Sequence, residues 1–166
     1  MIRVSTAVLS IGSNLGDRLA RLQQAVDAVR PWLVAVSPVY ETAPWGPVPQ
    51  DDYLNAVVVA SDPDAAPRDW LARAHAAERD AGRTREVRWG ARTLDVDVVA
   101  VDDVTSADPD LTLPHPRAAE RAFVLVPWAA AQPDATLAGR SVTTLVEALP
   151  PGDVAGVRLR ADLRLR

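Results

Sequence analysis

Two aspartates separated by one residue are the clearest candidates for chemistry in this sequence. Asp95 and Asp97 lie in the apolar run 94–99, and side chains alternate along a strand, so both carboxylates face the same side. Their Cα atoms would be about 7 Å apart, close enough for the carboxylates to share one Mg²⁺ or to hold two ions about 4 Å apart. A solvent-facing pair balanced by Arg92 is the alternative, and the spacing alone does not decide between them.

Arginines are concentrated next to this pair. All 18 basic residues are arginine, whose planar fork of donors suits phosphate. Five arginines lie within residues 79–92, whereas residues 93–115 contain six aspartates and no arginine. A basic block beside an acidic block favours a site for a polyphosphate and its metal ions, although two solvated loops would have the same composition.

Two further polar residues each have a binding and a structural interpretation. His115 lies between Pro114 and Pro116, which hold its backbone stiffly. It either contacts a phosphate or forms a hydrogen bond within a turn. Glu78 shares one helix side with His75 by i, i+3 spacing, and this side either borders a nucleotide or faces solvent.

Aromatic and amide side chains could bind a flat heterocycle on the same sheet. Tyr53 and Asn55 share one strand face by alternation, and a ring beside an amide suits a heterocycle with donor and acceptor edges. Phe123 is the only phenylalanine and could close the other side, although core packing is the alternative for both rings. Trp45 and Trp89 lie in predicted loops, where a large apolar side chain can cover a ligand.

The composition is that of an ordinary globular chain. It has 166 residues, of which 48% are hydrophobic and 24% charged, with a net charge of −4 and no cysteine. We expect one catalytic domain over residues 1–166, with a core at about 1–135 and a C-terminal extension at 136–166. Neither a spanning apolar run nor a secretory pattern is evident, so we expect a cytoplasmic location. The acidic total disfavours a general nucleic-acid binder.

Hydrophobic periodicity predicts a βαββαβ order. The predicted strands are 4–11, 34–42, 53–60 and 93–101; the predicted helices are 19–29, 67–81 and 118–131. Pro38 implies an edge or a bulge in the second strand, and Pro127 implies a break or a kink in the last helix. The alternating tail 157–166 predicts either an edge strand or a frayed end. This order indicates an α+β, ferredoxin-like sandwich with a mostly antiparallel sheet, helices on one face and additional C-terminal helices.

Seven segments occur in the order and with the gaps of a known family. They are the runs 11–16, 40–44, 53–56, 82–83, 88–97, 113–116 and 121–124. Together they resemble the 6-hydroxymethyl-7,8-dihydropterin pyrophosphokinase family. The most specific part is the pattern Arg-x-Thr-Leu-Asp-x-Asp followed by Pro-His-Pro.

The resemblance implies roles for individual residues. Asp95 and Asp97 would bind two Mg²⁺ ions that bridge the ATP phosphates. The residues expected to hold ATP are Glu78, Arg85, Arg88, Trp89, Arg92, His115 and Arg121. The residues expected to bind the pterin are Thr42, Ala43, Trp45, Tyr53, Asn55 and Phe123. The expected catalytic residues are Arg83, Arg92, Asp95 and Asp97.

The resemblance also implies a reaction and its partners. The pterin hydroxyl would attack the β-phosphorus of ATP and yield AMP and a pterin diphosphate, a step of folate biosynthesis. ATP and the reduced pterin would be the partners of a monomer that binds neither nucleic acid nor a membrane. No general base is evident, so metal activation of the hydroxyl and late proton loss both stay open.

Three other functions are compatible with parts of the pattern. A ferredoxin-like RNA-binding module would use aromatic residues on the sheet, but the acidic total and the aspartate pair argue against it. A nucleotidyltransferase of palm type also places paired carboxylates on such a sheet and would release pyrophosphate instead of AMP. A regulatory domain without activity is the least favoured, because the arginines and carboxylates are intact.

Overall fold

The computed structural model of the protein describes residues 5–44, 46–82 and 93–166. The helices are α1 (Arg18–Ala28), α2 (Pro67–Asp80), α3 (Ala122–Ala131), α4 (Val142–Ala148) and α5 (Pro151–Ala155). The strands of the main sheet are β1 (Thr6–Ser13), β2 (Leu33–Val36), β3 (Tyr40–Thr42), β4 (Tyr53–Ser61), β5 (Asp95–Val101) and β10 (Arg158–Leu159). Two short hairpins consist of β6 (Ser106–Asp108) with β7 (Leu111–Leu113), and of β8 (Thr136–Leu137) with β9 (Arg140–Ser141).

The main sheet is antiparallel and has β1 at its centre. β1 pairs with β4 on one side and with β5 on the other. The order across the sheet is β10-β3-β4-β1-β5, and β2 also pairs with β4. Because β2 and β3 together stand for the second strand of the βαββαβ order, this topology confirms the predicted ferredoxin-like α+β fold.

The two faces of the sheet are covered differently. On one face, α1 and α2 form a core in which Leu22 and Trp70 pack with Leu9 and Leu54. On the other face, α3 and α4 form a second core in which Trp128 packs with other apolar residues, among them Val8, Val57 and Leu125. The prediction placed the core helices on one face only; α3 and α4 cover part of the second face, which is uncovered at the end of β5 that carries the two aspartates.

Proline and glycine set several element boundaries. Pro38 divides the predicted strand 34–42 into β2 and β3, as expected of a residue that cannot donate to the ladder. The Ser37 hydroxyl accepts from the Val57 amide at 2.9 Å and so replaces part of the lost pairing. Gly82, at φ +72°, follows the end of α2 as predicted.

Two boundaries differ from the prediction. β1 continues through Gly12 to Ser13, because Gly12 pairs with strands on both of its sides. Pro127 lies inside α3 without breaking it, and the interruption of the predicted helix 118–131 falls instead at Arg121, between a 3-10 turn and α3. In addition, the strands of the two short hairpins were not predicted.

The C-terminal tail contains a two-residue edge strand. β10 pairs with β3, with Arg158 opposite Glu41 and Leu159 opposite Tyr40. Leu163 and Leu165 then pack against the core beneath α1 and α2. Of the predicted edge strand 157–166, only Arg158 and Leu159 pair with β3, and residues 160–166 form no strand. Within the described ranges, no helix is long and apolar enough to cross a membrane.

Candidate active site

The two aspartates project from the partly uncovered sheet face. Leu94, Val96 and Val98 belong to the core beneath α1 and α2, so Asp95 and Asp97 face the opposite side, as predicted. Asp95 lies opposite Gly12 and Asp97 opposite Ser10 on β1. The pair therefore lies on β5, at one edge of the main sheet, and Asp97 lines a cavity there.

The first cavity, which we call the His115 cavity, has a volume of about 300 Å³. Asp97 and His115 line it together with His75 and Glu78 from α2. Two of the residues expected to hold ATP, Glu78 and His115, thus share one cavity with a carboxylate expected to bind metal.

His115 is positioned to donate from the nitrogen that does not bind the backbone. Its Nδ1 accepts from the Arg117 amide at 3.2 Å, which fixes the neutral ring with its proton on Nε2. Burial lowers the pKa of His115, partly opposed by the charge of Asp97, and Arg121 and Arg117 lower it further. A neutral Nε2–H donor suits a phosphate oxygen, so the turn hydrogen bond and a binding role are compatible.

Glu78 is buried instead of lying on a solvated helix face. It is 5% exposed, and its Oε2 accepts from the amide of Val96 at 3.0 Å. Val96 lies between the two aspartates, so this hydrogen bond fixes the strand that carries them to α2.

The second cavity, which we call the Phe123 cavity, has a volume of about 210 Å³. Thr42, Ala43 and Phe123 line it, which brings together three of the residues expected to bind the pterin. Arg121 lines it as well, although its expected role was in holding ATP. Burial lowers the pKa of Arg121, and the charge of Asp97 opposes this change. Arg121 is therefore within electrostatic reach of the aspartates as well as of this cavity.

The strand beside the Phe123 cavity carries the amide. Asn55 is 4% exposed, and its Nδ2 donates to the Thr42 hydroxyl at 2.6 Å. Tyr53, two residues before it, pairs with Thr42 across the sheet. Asn55 and Tyr53 lie beside the cavity on the sheet and are not among the described residues that line it.

Gly12 leaves the space that these two side chains occupy. A Cβ atom at this position would lie 2.9 Å from Oδ1 of Asn55 and 3.4 Å from Cδ1 of Tyr53. Residues 12–14, at the end of β1, therefore let the side chains of Asn55 and Tyr53 approach the strand closely. The same segment also fixes a loop, since Nδ2 of Asn14 donates to Gln50 Oε1 at 2.7 Å and to the Asp51 carbonyl at 2.8 Å.

Several predicted residues lie outside the described residues. They are Trp45, Arg83, Arg85, Arg88, Trp89 and Arg92. Their expected roles stay predictions.

The donor set fits a magnesium ion that arrives with a nucleotide. In the described part of the chain, no group of three or more His, Asp or Glu residues could hold a metal ion alone. Mg²⁺ bound with ATP ordinarily takes one or two carboxylates and completes its coordination with phosphate oxygens and water. Asp95 and Asp97 supply such a pair.

Some residues of the two cavities were missed by the sequence analysis. Leu71 lines the His115 cavity, and its i, i+4, i+7 spacing with His75 and Glu78 could have placed it there. Thr112 lines the same cavity from the unpredicted hairpin. Asp153 and Gly156, of the C-terminal extension, line the Phe123 cavity, and no local signal in the sequence marks them.

The fold and site together define a class of ferredoxin-like α+β protein whose sheet presents paired carboxylates beside a cavity lined by His115 and the buried Glu78. Residues 8–133 match the family described as 7,8-dihydro-6-hydroxymethylpterin-pyrophosphokinase (HPPK). The chain belongs to this family, which confirms the resemblance drawn from its motifs.

Named relatives agree over nearly the whole chain. The chain is 51% identical to the 2-amino-4-hydroxy-6-hydroxymethyldihydropteridine pyrophosphokinase of Mycobacterium tuberculosis, over 94% of this chain and 90% of the relative. It is 41% identical to the protein of the same name from Methylorubrum extorquens, over 93% of this chain and 99% of the relative. Both identities exceed what chance alignment over such lengths would give.

A solved structure has the same fold. The crystal structure of wild-type Plasmodium falciparum HPPK-DHPS with pteroate matches 87% of this chain with a TM-score of 0.69 at 13% sequence identity. The match spans 44% of that longer chain. At this identity, the likeness supports the fold alone.

Proposed function

We propose that the chain carries out the reaction of its family on the sheet face that bears Asp95 and Asp97. That reaction moves a pyrophosphoryl group from ATP to the hydroxymethyl group of 6-hydroxymethyl-7,8-dihydropterin, in folate biosynthesis, and leaves AMP. The single observation that supports this placement best is the separation of the expected residues into two cavities. Glu78 and His115 border one with Asp97, and Thr42 and Phe123 border the other.

ATP would lie on the side of the His115 cavity. Nε2–H of His115 would donate to a phosphate oxygen, and Asp97 would meet the metal that accompanies the phosphates. The arginines 83, 85, 88 and 92 would hold the triphosphate with Trp89 over it, and Arg83 and Arg92 would stabilise charge during transfer. Positioning and charge stabilisation are what phosphoryl-type transfer chiefly requires of a protein.

The reduced pterin would lie on the side of the Phe123 cavity. Asn55, held by Thr42, would read the polar edge of the heterocycle, and the backbone near Ala43 and Trp45 would complete this contact. Tyr53 and Phe123 would pack on the faces of the ring. Arg121 lines this cavity and lies within electrostatic reach of both aspartates. It would therefore lie between the pterin and the ATP phosphates.

Magnesium would supply electrostatic stabilisation of the phosphate oxygens when bound at Asp95 and Asp97. Two ions would fit a pair at this spacing, with ATP providing the remaining ligands. We further propose a single-domain monomer that works in the cytoplasm and binds neither nucleic acid nor a membrane, in keeping with the chain's net charge of −4.

Replacing one aspartate tests the placement of the reaction. Asp97→Asn is expected to keep the fold and to lower pterin-dependent AMP formation by at least about a hundred-fold, because the neutral amide is a poor metal ligand. Asp103→Asn, an exposed aspartate just beyond the end of β5, is the matched control and should retain full activity. Wild-type turnover in the Asp97 variant at ordinary magnesium would contradict the placement.

A further inference from the structure

The C-terminal segment, residues 151–166, is attached to β3, the strand that carries Thr42 on the pterin side of the proposed site. β10 pairs with β3, and the Arg160 amide donates to the Val39 carbonyl at 2.8 Å. At the end of the segment, the Arg166 amide donates to Oε1 of Gln23 at 2.8 Å, and Gln23 donates back to the Arg166 carbonyl. The segment therefore follows β3 and ends on α1, so it covers an edge that would otherwise be open.

Arginines from two elements converge on Glu41, in the middle of β3. Arg18 of α1 contacts Glu41 Oε2 at 2.5 Å, and Arg160 contacts Oε1 at 3.3 Å. The Glu41 side chain is 16% exposed. The hydrogen bond from Arg18 lowers the pKa of Glu41, and the charges of Arg160 and Arg158 act in the same direction. The carboxylate thus stays ionised and binds the C-terminal segment and α1 to the same strand.

The same arginines also hold the residue that precedes Tyr53. Arg158 contacts the Asp52 carboxylate at 2.9 Å, and Arg18 donates to the Asp52 carbonyl at 3.0 Å. Glu41 directly precedes Thr42 in the chain, and Asp52 directly precedes Tyr53. Thr42 and Tyr53, which border the proposed pterin site, each follow a residue that these arginines contact. The arginines therefore help to fix both positions.

The segment also forms a wall of the Phe123 cavity. Asp153 and Gly156 face it from α5 and the residue that follows, opposite Thr42 and Phe123. The width of the cavity depends on how closely α5 approaches these residues. α5 belongs to the same segment as β10, whose pairing with β3 attaches the segment to the sheet.

We propose that the C-terminal segment positions the acceptor-binding side of the site: Arg158 and Arg160 tie it to Glu41 and Asp52, and α5 sets the width of the Phe123 cavity. This inference rests on the proposed function, because it assigns the Phe123 cavity to the pterin. Arg158 and Arg160 are positioning residues, since they act through β3 and the start of β4.

The double variant Arg158→Ala/Arg160→Ala tests the proposal. We expect the KM for the reduced pterin to rise about five-fold, in line with the loss of a few partly exposed ion pairs. The KM for ATP should change less than about two-fold, since none of the described residues that line the His115 cavity belongs to the segment. Hydrogen exchange at the amides of residues 40–42 should accelerate, which is a readout independent of turnover.

Two further variants separate positioning from general effects. Arg164→Ala removes an exposed arginine of the same segment, for which no contact with Glu41 or Asp52 is found among the described residues, and it should behave as wild type. Arg158→Lys/Arg160→Lys keeps both charges and should recover much of the pterin affinity.

An unchanged pterin KM in the double alanine variant would overturn the proposal, as would equal changes for ATP and pterin. An assay of the wild-type protein in parallel separates failure of the proposed function from failure of this inference. If wild-type protein forms no AMP in response to the pterin, the proposed function fails and this inference falls with it. If wild type is active and the variant matches it, only this inference fails.

Discussion

Adding a single methyl group at Gly12 tests how the acceptor side is built. The Cβ of Gly12→Ala would lie 2.9 Å from Oδ1 of Asn55, closer than Cβ atoms approach such neighbours, and 3.4 Å from Cδ1 of Tyr53. One of the partners must shift by a few tenths of an ångström. Asn55 cannot turn freely, because its Nδ2 donates to Thr42 at 2.6 Å, so relieving the contact strains that hydrogen bond.

The expected magnitude follows from the hydrogen bond at risk. A net hydrogen bond of this kind contributes about 1 kcal/mol, which corresponds to about a five-fold change in an equilibrium constant. We therefore expect Gly12→Ala to raise the KM for the reduced pterin about five-fold. The free energy of unfolding should fall by about 1–3 kcal/mol from the tighter packing.

Steady-state kinetics with each substrate varied in turn, together with urea unfolding, measure both effects. Val142→Ala provides the matched control, because Val142 is fully buried in the core beneath α3 and α4. It should lower stability by about 1–2 kcal/mol while leaving the pterin KM unchanged. The reasoning would be refuted if Gly12→Ala bound pterin like wild type, or if both variants weakened binding to the same extent.

Two further predictions concern the frame that holds the site. Glu78→Ala should lower the free energy of unfolding by about 1–3 kcal/mol in urea titrations, because the buried Val96 amide loses its acceptor. Glu78→Gln keeps an acceptor and should lose less stability. Wild-type stability in the alanine variant would contradict this prediction. The hydrogen bond from Arg73 lowers the pKa of Asp62 from its ordinary value of 3.8. The folded state therefore binds this proton less readily than the unfolded state, so the stabilisation is present above pH 3.8 and is lost as the pH falls through the lower folded pKa. Thermal melts between pH 5 and pH 2.5 should show a smaller acid-induced drop in Tm for Asp62→Asn than for wild type, and equal drops would count against the assignment.

The sequence predicts the sheet and the orientation of the aspartates because those features depend on local periodicity. Alternation along residues 94–99 is sufficient to place Asp95 and Asp97 on one face, and a sheet with Val96 and Val98 buried on the other side confirms it. Pro38 marked the interruption between β2 and β3 for an equally local reason, the missing backbone donor.

Features that depend on distant contacts could not be predicted in this way. The i, i+3 spacing of Glu78 and His75 permitted a solvated face, and only the packing of α2 against β5 shows Glu78 bonded to Val96. Asp153 and Gly156 line the Phe123 cavity although they lie more than a hundred residues beyond Thr42 in the chain. Pro127 shows the opposite limit, since this local signal predicts a break or kink whereas Pro127 lies buried inside a continuous α3.

The product of the ATP reaction tests the central claim most directly. Protein incubated with ATP, Mg²⁺ and 6-hydroxymethyl-7,8-dihydropterin is expected to form AMP and the pterin diphosphate in equal amounts, with no AMP when the pterin is omitted. Formation of ADP, release of free pyrophosphate, or AMP that appears at the same rate without the pterin would contradict pyrophosphoryl transfer at this site.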